Sequence, residues 1–141
     1  MDNHSKETRS YNMSQIKPIN TKPEVLVRKY LFSAGFRYRK YVKSLPGHPD
    51  IVLPKYKTVV FVNGCFWHMH EGCRKFVWPK SNQEYWQKKL YGNKKRDIEN
   101  IKVLEQLGWK VIIVWECELR KPLAEITLKN LCNEIKNNCV L

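Results

Sequence analysis

Pro49-Asp50-Ile51-Val52-Leu53-Pro54-Lys55-Tyr56-Lys57-Thr58-Val59-Val60-Phe61-Val62-Asn63-Gly64 decides the fold of this chain. Two short apolar, β-branched runs, 51–53 and 58–62, flank a proline-led turn. That pattern predicts an antiparallel hairpin whose return strand ends at Asn63-Gly64. Upstream, Leu45-Pro46-Gly47-His48-Pro49 reads as a turn, and the basic, aromatic stretch from Arg37 to Lys43 as an edge strand. Further back, Asn20-Thr21-Lys22-Pro23 offers a helix start with proline in the first turn. Val27, Leu31 and Ala34 follow at helical spacing, and Gly35 is a stop signal.

Downstream, Ser81-Asn82-Gln83-Glu84 matches a capping box. It opens a helix expected to break near Gly92-Asn93 and to resume through Asp97, Ile101 and Leu104 to Gly108. Trp109 to Trp115 predicts a buried strand, with both tryptophans in the core. From Pro122 onward, Leu123, Ile126, Leu131 and Ile135 give a last amphipathic helix. The order helix, three strands, helix, strand, helix implies an α/β single domain, a mixed central sheet flanked by helices on both faces. Residues 1–20 are polar and basic, an arm expected to order only on a partner, and 21–141 form the folded unit.

With 141 residues the chain can bury a core of its own. Its 26 Lys and Arg against 13 Asp and Glu give a net charge of +13, so the expected partner is a polyanion, nucleic acid first. From Arg74 to Arg96 the basic residues Arg74, Lys75, Lys80, Lys88, Lys89, Lys94, Lys95 and Arg96 face one acid, Glu84. They interleave with Phe76, Trp78, Tyr85, Trp86 and Tyr91, a mixture that suits a nucleic-acid face better than a merely solvated helix. The Met1 end lacks the apolar core of a signal peptide and no stretch is long enough for a membrane span, so a cytosolic protein with no membrane partner is expected. Five cysteines in a reducing compartment point to metal or packing, with Cys132 and Cys139 read as core or free thiols.

The hairpin runs directly into Cys65-Phe66-Trp67-His68-Met69-His70-Glu71-Gly72-Cys73. Thiolate and imidazole suit Zn²⁺. Cys65, His70 and Cys73 form a close group, and Cys117, after another apolar run, is the distant fourth ligand. A site already holding three thiolates has room for one histidine. His68 could ligate in place of His70, and spacing leaves that choice open, but whichever is spare can take a proton from water. Asp50 gains nothing from packing at the head of its strand and is a candidate metal ligand. Glu24 suits a helix N-terminus for dipole reasons alone.

Pro49-Asp50 before a return strand resembles the first half of the restriction-type nuclease motif. The second half is absent, since Val59-Val60-Phe61-Val62-Asn63-Gly64 carries neither acid nor lysine. More specifically, the chain resembles the very-short-patch repair endonucleases, strand-specific nicking enzymes of T:G mismatch correction. The likeness rests on Arg9-Ser10-Tyr11-Asn12-Met13, Thr21-Lys22-Pro23-Glu24, Leu45 to Asp50, Cys65 to His68, Trp86, Arg96-Asp97, and Leu107-Gly108-Trp109 through Trp115-Glu116-Cys117. It implies a restriction-endonuclease-like fold with a structural Zn²⁺ on Cys65, His70, Cys73 and Cys117, which frees His68 as the catalytic histidine. It also implies catalytic Mg²⁺ on Asp50 and the Val62 carbonyl, with Glu24 and Asp97 orienting the surrounding water. Phe66, Trp67 and Trp86 match aromatics wedged into DNA beside the mismatch, and Met13 a residue inserted from the opposite groove. Some relatives carry histidine where this chain has Asn63.

The expected activity is therefore Mg²⁺-dependent nicking of double-stranded DNA beside a T:G mismatch, initiating very-short-patch repair. One active centre suffices for a nick, so a monomer is expected, with a mismatch-repair protein as a further partner. The competing readings are a zinc-stabilised DNA-binding module without catalysis, and an endonuclease of different mismatch or duplex specificity.

Overall fold

The structure, a computed structural model, describes residues 20–74 and 76–138. Met13 and Cys139 lie outside them. Three helices and four strands are present among the described residues: α1 (Lys22–Ser33), β1 (Arg39–Lys40), β2 (Ile51–Leu53), β3 (Thr58–Asn63), α2 (Gln83–Gln106), β4 (Lys110–Trp115) and α3 (Ala124–Lys136), with single 3₁₀ turns at Pro54–Tyr56 and Glu116–Leu119.

The hairpin forms as its pattern predicts. Ile51 pairs with Val60 and Leu53 with Thr58, and the Pro54–Tyr56 turn closes on Lys57 in the left-handed region. β1 is a two-residue edge strand on β2, and β4 lies parallel to β3 with Val60 opposite Ile112 and Val62 opposite Val114. The result is a mixed sheet in the order β1-β2-β3-β4.

Strand alternation divides the core. Ile51, Leu53, Val60, Val62, Ile112 and Val114 face α1 (Val27, Leu31) and α3 (Leu128, Leu131, Cys132, Ile135). Val52 and Val59 face α2 through Leu104, with Phe61, Trp109 and Val111 packed around them. Helices thus cover both faces of the sheet. α1 is bounded as its sequence suggests: the Thr21 hydroxyl accepts from the Glu24 amide, and Gly35 turns the chain at φ +96°.

Four local expectations are corrected. α2 is unbroken through Gly92-Asn93 over 24 residues. A single helical glycine costs only about 1 kcal/mol, and the Asn93 amide donates outward to the Trp67 carbonyl (3.3 Å) instead of competing with the helix backbone. The capping box does not form. Asn82 enters the helix at φ +55° with no side-chain cap, so Ser81 falls one residue too early. In α3 the buried positions are 128, 131, 132 and 135, while Leu123 precedes the helix and Ile126 points to solvent. Trp115 is half-buried and belongs to no core cluster, while Trp109 is a half-buried neighbour of the α2 side.

Candidate active site and metal centre

Antiparallel pairing brings the head of β2 beside the tail of β3. Asp50, one residue before β2, therefore sits against Val62, whose amide donates to Asp50 Oδ2 at 2.7 Å. The N-terminal turn of α1 carries Glu24 to the same place, and the middle of α2 brings Asp97. All of them, with His68, line one cleft of about 720 Å³ that also takes in Tyr41, Asn63, Trp67, Asn100 and Glu116. Every residue expected at the catalytic centre thus faces a common space.

Burial pushes the Asp50 carboxyl up to about 7. The nearby Glu24 charge adds to this, while the Val62 N–H, His68 and Arg28 oppose it. A carboxylate so held becomes a better anion once a cation arrives. Its hard oxygen, with a strand-end carbonyl alongside, is the donor chemistry Mg²⁺ takes, so Asp50 and Val62 fit that ion.

His68 Nδ1 lies 2.5 Å from Asp97 Oδ2, with both side chains about a third exposed, at 29% and 32%. Asp97, expected to orient water near the metal, holds the histidine through this oxygen. This leaves Nε2 as the nitrogen able to take a proton. Glu24 is 2% exposed, and its Oε2 accepts from the Asn20 amide (3.2 Å), Arg28 Nη1 (3.2 Å) and the Tyr41 hydroxyl. Its dipole-favoured position holds, but an inward-facing network adds to it.

His70 turns the other way. The loop bends through Met69 at φ +50°, and the His70 amide returns to the Cys65 carbonyl at 2.9 Å. Ligand atoms of Cys65, His70, Cys73 and Cys117 all lie within 4.8 Å of one another, with Cys117 Sγ 3.4 Å from His70 Nδ1. Around Zn²⁺, with Zn–S near 2.3 Å, tetrahedral sulfurs sit about 3.8 Å apart, so this set fits the ion. Burial pushes the Cys65 thiol up to about 12 and raises Cys117; a metal must displace those protons to bind. The Trp115 ring stacks on His70 at 4.0 Å and 5° interplanar. A strand-end tryptophan read from sequence as core is instead a cover for the imidazole.

Phe66, Trp67 and Trp86 form a half-buried aromatic cluster outside both cores. Ring centroids are 5.2 Å apart for Phe66 and Trp67, 5.5 Å for Phe66 and Trp86, and 5.9 Å for Trp67 and Trp86. Tyr85 and Phe76 extend it. Trp67 lines the cleft directly beside His68.

Sequence reasoning missed Arg28, Tyr41 and Asn93. Arg28 was visible as a basic residue four after Glu24 on a helix. The other two carried no local signal.

The family model of the DNA mismatch endonuclease Vsr matches residues 1–75. Among curated relatives, the type II nicking enzyme V.NmeAIP of Neisseria meningitidis serogroup A is 55% identical over 130 residues, 92% of each chain. The type II nicking enzyme V.XorIIP of Xanthomonas oryzae pv. oryzae is 48% identical, covering 92% of this chain and 96% of its own. The DNA mismatch endonuclease Vsr of Escherichia coli strain K12 is 44% identical, covering 84% and 76%. With that match over more than half its length and these relatives over nearly all of it, the chain belongs to the Vsr family of DNA mismatch endonucleases and nicking enzymes.

Proposed function

We propose that this protein nicks one strand of duplex DNA beside a T:G mismatch by Mg²⁺-dependent phosphodiester hydrolysis, initiating very-short-patch repair. The observation that carries this reading is the convergence of Glu24, Asp50, His68 and Asp97 on one cleft, with Trp67 of the aromatic cluster on its wall. A zinc-stabilised binding module would have no need of three carboxylates and an imidazole in the same space.

In this reading His68 Nε2 takes the proton of the attacking water. Asp97 fixes the imidazole by its other nitrogen and steadies the imidazolium that forms. Mg²⁺ held by Asp50 and the Val62 carbonyl would neutralise phosphate charge and support the departing oxygen. Asp50 is kept in orientation by the Val62 amide, and Glu24 presents its charge to the same cleft. Cys65, His70, Cys73 and Cys117 would hold a structural Zn²⁺ that ties the 65–73 loop to the end of β4. One loop then sets both the zinc centre and the catalytic histidine.

Phe66, Trp67 and Trp86 would enter the duplex at the mismatch, where a mispaired step costs less to open than a matched one. The basic arm of residues 1–20, with Met13, would reach the opposite groove. The parallel β3–β4 pair, crossed over through α2, supports a restriction-endonuclease-like reading of the fold. A monomer acting in the cytosol, recruited with a mismatch-repair protein, completes the proposal.

End-labelled duplexes carrying T:G, each other mismatch, or none, incubated with and without Mg²⁺, test it. A Mg²⁺-dependent cut on one strand of the T:G duplex is expected. Equal cutting of matched duplex points to different specificity, and no cutting of any duplex to a binding module.

A further inference from the structure

Glu24 and Arg28 form a buried ion pair one helical turn apart, 2% and 8% exposed, with Arg28 Nη1 at 3.2 Å from Glu24 Oε2. A buried pair of this kind adds little to stability over apolar residues of the same size, so its presence calls for another reason. Tyr41 supplies one. It lies 17 residues from Glu24, directly after the edge strand, and its backbone sits at φ +49°, a conformation unusual for a bulky aromatic residue.

The Tyr41 hydroxyl oxygen accepts from the Asn20 amide (2.8 Å) and from Arg28 Nη1 (3.1 Å). Both donors are nitrogens that cannot reverse roles, so the hydroxyl's one proton goes to an acceptor, and the short contact with Glu24 Oε2 outweighs the long one to Asn20 Oδ1 at 3.5 Å. Arg28 is held in turn by Nη2 on Asn20 Oδ1 at 2.7 Å. Among the described residues, every hydrogen bond the Glu24 carboxylate receives falls on Oε2. The carboxylate is thus fixed by one oxygen, leaving Oε1 without a hydrogen bond from the described residues on a side chain that lines the cleft.

Taking Glu24 as an active-site carboxylate, as proposed above, we infer that Tyr41 is a positioning residue that locks Glu24 by Oε2, together with Arg28, so that Oε1 is reserved for the cleft. Tyr41 touches no reacting atom in this role. It acts through Glu24 alone, and the left-handed turn at Tyr41 is what lets its ring reach that carboxylate.

The test is a double-mutant cycle on the full chain, using Tyr41→Phe, Glu24→Gln and the pair. Nicking of T:G duplex is measured together with NMR relaxation of the Glu24 side-chain methylenes in DNA-free protein. Tyr41→Phe removes one hydroxyl and is expected to lower kcat roughly tenfold with KM within about twofold, as for a misaligned group. Glu24 side-chain order should fall at the same time. In the Glu24→Gln background, Tyr41→Phe should change kcat by less than about twofold, since coupled residues are non-additive. Arg28→Met, which removes the other side-chain donor to Oε2, should repeat both effects. An unchanged Glu24 order, or the same tenfold loss in the Glu24→Gln background, overturns the positioning role. If Glu24→Gln instead nicks at the wild-type rate, the active-site reading of Glu24 fails, and the NMR order still decides whether Tyr41 locks it.

Discussion

Asp50→Asn should separate chemistry from stability. In the metal-free protein the Asp50 carboxyl, ordinarily near 3.8, is pushed up to about 7, chiefly by burial. At about 1.4 kcal/mol per pKa unit, that displacement bounds the cost of ionising the group at roughly 4 kcal/mol. Asp50 faces an open cleft, and water there halves the figure to about 2 kcal/mol. Asparagine keeps an oxygen for the Val62 amide and removes the charge. The sign follows from a folded pKa above the unfolded one. Wild type matches the variant below about pH 4, loses ground as pH rises toward 7 because only the unfolded chain gives up its proton, and then levels off. Urea unfolding from pH 6 to 8 in Mg²⁺-free buffer, without chelator so that zinc stays bound, should therefore show the variant more stable by about 2 kcal/mol at pH 8 and by less at pH 6. Mg²⁺ at ten times its dissociation constant should then stabilise wild type by about 1.4 kcal/mol and leave the variant unmoved. Nicking by the variant should fall below about 1%. A variant less stable than wild type at pH 8, or one that nicks at a near wild-type rate, refutes the placing of the metal on this carboxylate.

His68→Ala should slow the chemical step about a hundredfold or more and retain zinc, whereas His70→Ala should lose zinc and destabilise the fold; metal analysis showing the opposite pattern inverts the assignment. Trp67 is half-buried on the cleft wall against Phe66 and Trp86, outside both cores, so Trp67→Ala should cost under about 2 kcal/mol of stability while narrowing discrimination between T:G and matched duplex by about 1 to 3 kcal/mol; melting curves with competition binding read both, and an intact preference rules out the wedge. Zinc should be released as pH falls, because three thiols compete with protons for it, and chelation at pH 8 should unfold the chain; a fully folded protein holding less than about half a zinc contradicts this.

What the sequence disclosed was whatever a short period encodes. The β2–β3 hairpin, the two faces of the sheet and the start of α1 follow from alternation, a proline-led turn and a cap. Even the meeting of Asp50 with Val62 is implied by hairpin register, since antiparallel strands put the head of one beside the tail of the next. Glu24 and Asp97 reached the expected centre only through family likeness. Helix packing alone unites residues from α1, the 65–73 loop and α2, and His68 and Asp97 are 29 residues apart. Trp115 was misplaced because five apolar residues in a row, Val111 to Trp115, read as buried throughout, while the last of them faces an imidazole at the strand end.

The choice between His68 and His70 shows where such reading stops. Residues two apart share a face in a strand and diverge by about 200° in a helix, but this loop is neither. Met69 at φ +50° lies between the two histidines, and a return bond from His70 to Cys65 turns the second toward the thiols. The first is left to Asp97 on α2, and the same helix holds the preceding carbonyl, that of Trp67, through Asn93 one turn earlier. A single residue in a left-handed conformation thus lets five consecutive residues, 66–70, serve three ends: the aromatic cluster, the imidazole proposed as catalytic, and a ligand of the candidate metal centre. Methionine has no special preference for that conformation, so it is the bonds on either side that hold it there. Zinc held in the proposed centre at the far end of the loop would therefore also aim His68, and its loss should misdirect catalysis before the rest of the domain unfolds.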